Sequence, residues 1–270
     1  MRLAISVVFS SVAGYFLGAE TVDFVGVLLL AIGGYFMVGA SNAYNQIIEK
    51  DLDALMDRTK NRPVPSGRMS VTTAFIIASV FTILGLVVLY IINPKTAMFG
   101  AISIFLYVSI YTPLKTKTPL SVFVGAFPGA IPFMLGWVAA SGEFSIEPGT
   151  LFMIQFFWQF PHFWAIAWVC DDDYKRAGFK LLPNNGKKNF STAVNIMTYT
   201  MFLIPLGLLP TIFGITGLIS GVVAVVCAIL FLIQTLRLIK DYSKTSALRI
   251  MFGSFIYLPV VQLAYIFDKI

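Results

Sequence analysis

Residues 72–113 read TTAFIIASVFTILGLVVLYIINPKTAMFGAISIFLYVSIYTP, and Lys95 is the only charged side chain among them. Two apolar runs meet there at the short loop 93–95. Each is close to the ~20 residues that an α-helix needs to cross the hydrocarbon of a bilayer. Strands of a membrane barrel alternate apolar and polar residues over about ten positions. These runs are continuous and about twice as long, so they predict helices.

Outward from this pair the same pattern repeats. Candidate spans lie at about 3–19, 22–47, 72–92, 96–113, 119–141, 148–170, 191–213, 217–236 and 246–267. The expected fold is all-α: a polytopic membrane helical bundle of about nine transmembrane helices, with residues 1–270 forming a single integral-membrane domain. Composition agrees, since 58% of the residues are hydrophobic and only 12% charged, about half the charge of a soluble domain.

The charges sit between the runs and on one side. All but three of the 19 lysines and arginines fall in or beside the loops after spans 2, 4, 6 and 8. The exceptions are Arg2, Lys95 and Lys269. By the positive-inside rule these loops and the N-terminus face the cytoplasm and the C-terminus faces outward, as in a multi-pass protein of the cell inner (cytoplasmic) membrane. Membrane lipid is the expected surrounding. Topology accounts for the net charge of +6, so no nucleic-acid partner is implied. Residues 3–19 read as the first span, with Arg2 on the inner side, rather than as a cleavable signal. Cys170 and Cys227 lie in or at the end of apolar runs and form no metal pair or disulfide framework; they read as small buried hydrophobes.

Two loops carry most of the remaining polarity. The first region, SNAYNQIIEKDLDALMDRTKNRPVPSGR (41–68), spaces Asn45, Glu49 and Asp53 at i, i+4 and i+8. On a helix such positions drift about 40° and rise about 6 Å per step, forming one polar stripe. Stacked carboxylates repel each other and are costly near a membrane. A divalent cation relieves the repulsion, and oxygen ligands suit Mg²⁺, which shares substrate phosphates. Arg58, Lys60, Arg62 and Arg68 follow, where a diphosphate's charge can be met. Local pairs such as Lys50 with Asp53, or Asp57 with Lys60, are the plainer account of the same charges.

The second region, WQFPHFWAIAWVCDDDYKRAGFKLLP (158–183), sets Asp171, Asp172 and Asp173 at the end of span 6, where they oppose the helix dipole. Either a bound cation or pairing with Lys175 and Arg176 explains them. His162, the only histidine, precedes Asp173 by three helical turns on the same face, with Gln155 two turns earlier. An ionisable group inside a membrane is a functional candidate by default; a histidine hydrogen-bonded into helix packing is the alternative. Four spans separate the two regions, which hints at two related halves.

A single histidine cannot supply both axial ligands of a bis-histidine haem, which excludes that kind of electron carrier. No P-loop or dinucleotide fingerprint is present. The aromatic cluster around Phe156–Trp164 fits a greasy, cation-tolerant cavity or plain lipid-facing packing. The glycines and prolines of 125–132 are compatible with a secondary transporter, but the acids cluster at one membrane face and not at the midplane.

Taken together, NQIIEKDLDALMDRTKNRPVPSGR (45–68), YTPLKTKTP (111–119), GAFPGAIPFMLGW (125–137) and FPHFWAIAWVCDDDYKRAGFKLLP (160–183) resemble the UbiA-type intramembrane prenyltransferases over nearly the whole chain. The combination of D-x-x-M-x-R-T-x-x-R-P, P-H-F-W and D-Y-x-x-A-G narrows the resemblance to the family's heme O synthase branch. A relative that prenylates an aromatic quinone precursor shares the acid motifs and lacks the last two signatures.

The resemblance implies a prenyltransferase that moves a farnesyl group from farnesyl diphosphate to a vinyl group of heme b, giving heme O. It implies Mg²⁺ held by Glu49, Asp53 and Asp173, with Asn45, Asp172 and His162 also catalytic. It assigns Arg58, Arg62, Lys115 and Lys175 or Arg176 to the diphosphate, and a terminal oxidase assembly pathway as the customer. His162 either orients the porphyrin or acts on a proton. The farnesyl length is inherited from the family. Members also carry a short basic lead-in, which implies a start upstream of Met1. The chain departs from the superfamily in using Glu49 for the first acid, and in placing Cys170 and Tyr174 where two acids of the second motif are expected.

Overall fold

The computed structural model describes residues 2–270, the side chains of Arg2, Leu3 and Asn185 excepted, so the placement expected for Arg2 lies outside the described residues. The chain forms α1 (Arg2–Gly18), α2 (Phe24–Ile48), the short α3 (Lys50–Ala54), α4 (Val71–Ile92), α5 (Pro94–Phe105), a π-helical turn (Leu106–Tyr111) running into α6 (Thr112–Leu114), α7 (Ser121–Ser141), α8 (Ile146–Val169), α9 (Asp171–Arg176), α10 (Pro183–Gly186), α11 (Phe190–Ile212), α12 (Leu218–Asp241) and α13 (Lys244–Phe267). Polar residues start the long helices where the sequence leaves an apolar run. Asp23, Ser70, Asn93, Asn189 and Ser243 each accept from a first-turn amide with their side chain, satisfying donors that would otherwise be orphaned.

Helical segments stand at each of the nine expected spans, but two of them fall short of the length or apolarity that a membrane crossing needs. Seven helices among the described residues are long and apolar enough to cross a membrane. The apolar part of α1, Ala4–Gly18, is shorter, and α8 carries Gln155, Gln159 and His162 inside its length. Helix α8 is also among the most buried, so its polar groups meet protein rather than lipid. The π turn arises where Pro113 has no N–H to continue the ladder; the Thr112 amide and hydroxyl both reach back to the Tyr107 carbonyl.

Helices α1, α2, α4, α5 and α7 pack in one group and α8, α11, α12 and α13 in another, joined by α7 on α8 and α1 on α13. Helix α7 lies at the centre. It can approach α1 so closely because both offer glycine: a Cβ on Gly136 would overlap the Ser11 carbonyl, and one on Gly14 the Phe133 carbonyl. The outer faces of α4 and α12 are apolar and exposed, with Ile76, Ile83, Val87, Val222 and Leu230 turned outward, as a lipid-facing surface requires.

Each acidic region contains a helix break. Helix α2 stops at Ile48 and α3 restarts after Glu49. The turn-to-turn bond from the Asp53 amide to the Glu49 carbonyl survives at 2.7 Å, so the stripe of Asn45, Glu49 and Asp53 persists across the break. Helix α8 stops at Val169 and α9 restarts after Cys170. There too the turn-to-turn bond survives, from the Tyr174 amide to the Cys170 carbonyl at 3.0 Å, and His162 and Asp173 differ in their partners: Ser254 of α13 for the first, the Asp57 and Arg58 amides for the second.

Candidate active site

Where α2 ends and α7 begins, a cavity of about 180 Å³ opens. Asn45, Glu49 and Asp53 line it from one side and Arg58, Arg62 and Lys115 from the others. All three stripe residues are buried. Asn45 Nδ2 donates to Glu49 Oε2 at 2.7 Å, and Arg62 Nη1 donates to Asp53 Oδ2 at 2.9 Å. Lys115 Nζ lies 2.9 Å from Glu49 Oε1, yet that oxygen has no aligned hydrogen bond, and Asp53 Oδ1 has no partner. Glu49 Oε1 is thus met only by the Lys115 ammonium, and Asp53 Oδ1 is a buried oxygen with no partner. Such atoms are costly unless something meets them. Two hard oxygens beside a cluster of cations fit Mg²⁺ completed by phosphate oxygens and water.

The loop 55–69 folds over the cavity because Met56 and Val64 are buried beneath it and Thr59 donates to the Asp53 carbonyl at 2.8 Å. Lys115 is buried among aromatic rings, 4.7 Å from the Tyr111 centroid and 5.7 Å from that of Phe179. The Lys180 amide donates to the Lys115 carbonyl at 2.7 Å, tying the two basic loops together. Burial pushes the Lys115 ammonium below its ordinary range, opposed by the Glu49 charge.

The second acidic region is arranged differently. Asp171 is buried in ion pairs with Lys175 at 2.8 Å and Lys188 at 3.1 Å. Asp172 is exposed. Asp173 accepts from the amides of Asp57 and Arg58 and from Arg176. None of the three lines the cavity, and no group of three or more His, Cys, Asp or Glu side chains among the described residues is placed to hold a metal ion. Lys175 and Arg176 serve these acids and Asp57 rather than the cavity. The plainer account from the sequence holds for Asp57, which pairs with Lys60 at 2.6 Å; Asp53 pairs with Arg62 and not with Lys50. Hydrogen bonds from Lys60 and Arg176 pull the Asp57 carboxyl down to about 2. Burial works against Asp173, but Arg176 and the two amides hold it below the carboxylate range.

His162 is buried between α8 and α13. Its Nδ1 lies 2.8 Å from Ser254 Oγ, and its ring stacks on Trp158 at 4.4 Å and meets Phe255 edge-on. It does not line the cavity, but its neighbour Phe163 does. Gln155 donates to the Gly129 carbonyl at 2.7 Å, and Gln262 donates to Gln155 at 3.4 Å, so the polar line through α8 is real and satisfied within the bundle.

Charge patterning missed several lining residues: Asn42, Tyr107, Tyr111, Tyr174 and Phe179. Tyr107 and Tyr111 are spaced i, i+4 just before Lys115, which was a usable signal. Tyr174 stands in the D-Y signature, where an acid was expected.

Residues 7–258 match the family model described as the UbiA prenyltransferase family. The protoheme IX farnesyltransferase of Christiangramia forsetii is 69% identical, over all of this chain and 91% of its own length. That of Flavobacterium psychrophilum is 60% identical over 99% of this chain and 91% of its own. Among solved structures, one of a digeranylgeranylglyceryl phosphate synthase superposes with a TM-score of 0.82 at 22% identity, covering 99% of this chain and 94% of that one. A UbiA homolog from Archaeoglobus fulgidus bound to GPP and Mg²⁺ gives 0.70 at 17%, over 98% and 97% of the two chains. At that identity the two structures establish the fold.

Proposed function

The chain belongs to the UbiA prenyltransferase family, and from that membership we propose that it transfers the farnesyl group of farnesyl diphosphate to a vinyl group of heme b, giving heme O. The observation that carries the chemistry is one cavity holding two buried carboxylates beside three cations, with Asp53 Oδ1 left without a partner. The acceptor comes from the relatives, which are named protoheme IX farnesyltransferases and match this chain from end to end.

Glu49 and Asp53 would hold Mg²⁺, with Asn45 fixing the Glu49 carboxylate. When bound, the ion neutralises diphosphate oxygens and makes the group a better leaving anion. Arg58, Arg62 and Lys115 meet the negative charge that grows as the allylic C–O bond breaks, the kind of preorganised stabilisation that is usually the largest catalytic term. Tyr107 and Tyr111 present aromatic faces beside Lys115 that also tolerate an electron-poor allylic carbon. The terminal vinyl carbon of heme attacks that carbon to form the C–C bond. Water adds to the other vinyl carbon and loses a proton, leaving a hydroxyethylfarnesyl side chain and free diphosphate.

The positive-inside rule sets the cavity and the basic loops toward the cytoplasm, where a soluble diphosphate is available. A terminal oxidase is the expected consumer of the product. Mass spectrometry of heme from membranes with and without this protein tests the assignment: heme O appears only with it. Release of diphosphate that depends on Mg²⁺ but on an aromatic acceptor instead of heme would overturn it.

A further inference from the structure

The polar line through α8 includes a histidine that is only half satisfied. His162 is buried, with 8% of its surface exposed. Its Nδ1 lies 2.8 Å from Ser254 Oγ on α13. The Ser254 hydroxyl has one proton, and that proton is spent on the Met251 carbonyl at 2.6 Å. His162 must therefore donate to Ser254, so Nδ1 carries the ring proton and Nε2 keeps a bare lone pair. Nε2 makes no hydrogen bond among the described residues. Trp158 fixes the arrangement from one turn away. Its Nε1 donates to the Ser254 carbonyl at 3.0 Å, and its ring stacks on the imidazole at 4.4 Å.

A histidine used only for packing gains nothing from this. An unmet nitrogen in a buried ring costs free energy. One ring nitrogen donating to a fixed acceptor, with the other left free, is the way a metal-binding histidine is oriented. His162 belongs to no group of three or more His, Cys, Asp or Glu side chains placed to hold an ion, among the described residues. An ion held by side chains alone needs several of them. A metalloporphyrin brings its own equatorial donors and takes a single imidazole. The site also borders the reaction cavity, because the following residue, Phe163, lines it. Phe255 meets the imidazole edge-on at 4.9 Å and is half exposed, so the seam of α8 and α13 reaches the outer surface there.

We propose that Ser254 is a positioning residue that holds His162 as the Nδ1–H tautomer, and that His162 Nε2 is the axial ligand of the substrate porphyrin's iron. The proposal rests on the heme reading above and deepens it. A ligand on the iron holds the centre of the macrocycle and leaves its rim, which bears the vinyl groups, free for the allylic carbon.

The test uses the tag-free full chain in detergent micelles, which contribute no histidine. His162 is the only histidine of the chain, so an iron–histidine stretching band in the resonance Raman spectrum of the ferrous heme complex can arise from no other residue. The parent should show that band and bind heme b at least about tenfold more tightly than metal-free protoporphyrin IX. His162→Ala should lose both the band and the preference, while its affinity for protoporphyrin IX moves less than about twofold. His162→Gly should regain the band when imidazole is added. Ser254→Ala frees the ring to take either tautomer, and it should weaken heme binding about threefold to fivefold with protoporphyrin IX unaffected. It carries the test if the His162 variants do not fold. Ser254→Thr, which keeps the hydroxyl, should stay within about twofold of the parent. Equal loss of both porphyrins in His162→Ala and Ser254→Ala would make these residues structural and overturn the proposal, as would a parent that lacks the band. A parent that shows the band but makes no heme O from farnesyl diphosphate and Mg²⁺ would sink the functional reading and leave the ligand assignment standing. Heme O formed without the band would do the reverse.

Discussion

The two acidic regions look alike as strings of residues and differ in what surrounds them. In the first, Glu49 and Asp53 are buried and face a cavity; Glu49 meets Lys115, and Asp53 keeps one oxygen without a partner. In the second, Asp171 is consumed by two lysines, Asp172 lies in solvent and Asp173 is spent on the neighbouring loop. An exposed carboxylate gains little from meeting a cation, because water already solvates it. A buried one with an unmet oxygen gains a great deal. Acidity in the sequence therefore marks where charge is, and burial marks where it can bind something.

The largest expected effect lies in the first region. Asp53→Asn removes a buried charge opposite Arg62 and should lower turnover by about a thousandfold or more, with membrane insertion and helical content unchanged by circular dichroism. Activity near that of the parent protein at limiting Mg²⁺ would end the metal-bridge account. Arg62→Ala should come next, raising the KM for farnesyl diphosphate about tenfold while moving that for heme less. An effect confined to heme would reassign Arg62.

At the start of the second region His162 lies outside the cavity but one residue from Phe163, which lines it. His162→Ala should weaken heme binding or coupling several-fold, read by absorption titration, and leave binding of prenyl diphosphate and Mg²⁺ intact. Unchanged heme affinity and product formation would make it a packing residue held by Ser254 and Trp158.

The smallest effect belongs to the second region's exposed acid. Asp172→Asn should change kcat and KM by less than about twofold, and a larger loss would erase the contrast between the regions. Acidity should show the same division. The Asp57 carboxyl, depressed to about 2, keeps its link to Arg176 above the unfolded carboxylate range and loses it only as pH falls through about 2. Hydrogen exchange at 55–60 should therefore be unaffected by breaking of this link between pH 5 and 8 once the intrinsic rate is corrected.

Much of the fold was legible in advance because its determinants are local. Run length and continuous apolarity fix where a helix can cross a bilayer, and they located the seven helices among the described residues that are long and apolar enough to do so. They said less about α8, whose glutamines and histidine are tolerable only because neighbours bury and satisfy them. The stripe of Asn45, Glu49 and Asp53 was also legible, since helical periodicity survives the break at Glu49. The partners of His162 and Asp173 were not, because Ser254 and the amides of Asp57 and Arg58 are brought to them by packing.

The sequence by itself determined an all-α membrane chain, its acidic stripe, the cations that follow and the motifs that tie it to its family. Only the tertiary structure decided which acids meet the cavity, that Tyr107, Tyr111 and Phe179 surround Lys115, and that Asp173 and Tyr174 reach across more than a hundred residues to hold Arg58. Helix formation is governed by neighbours a few positions apart, which a pattern of letters displays. The choice between a solvated, a paired and an unmet carboxylate depends on groups brought together by packing, and no local period records it.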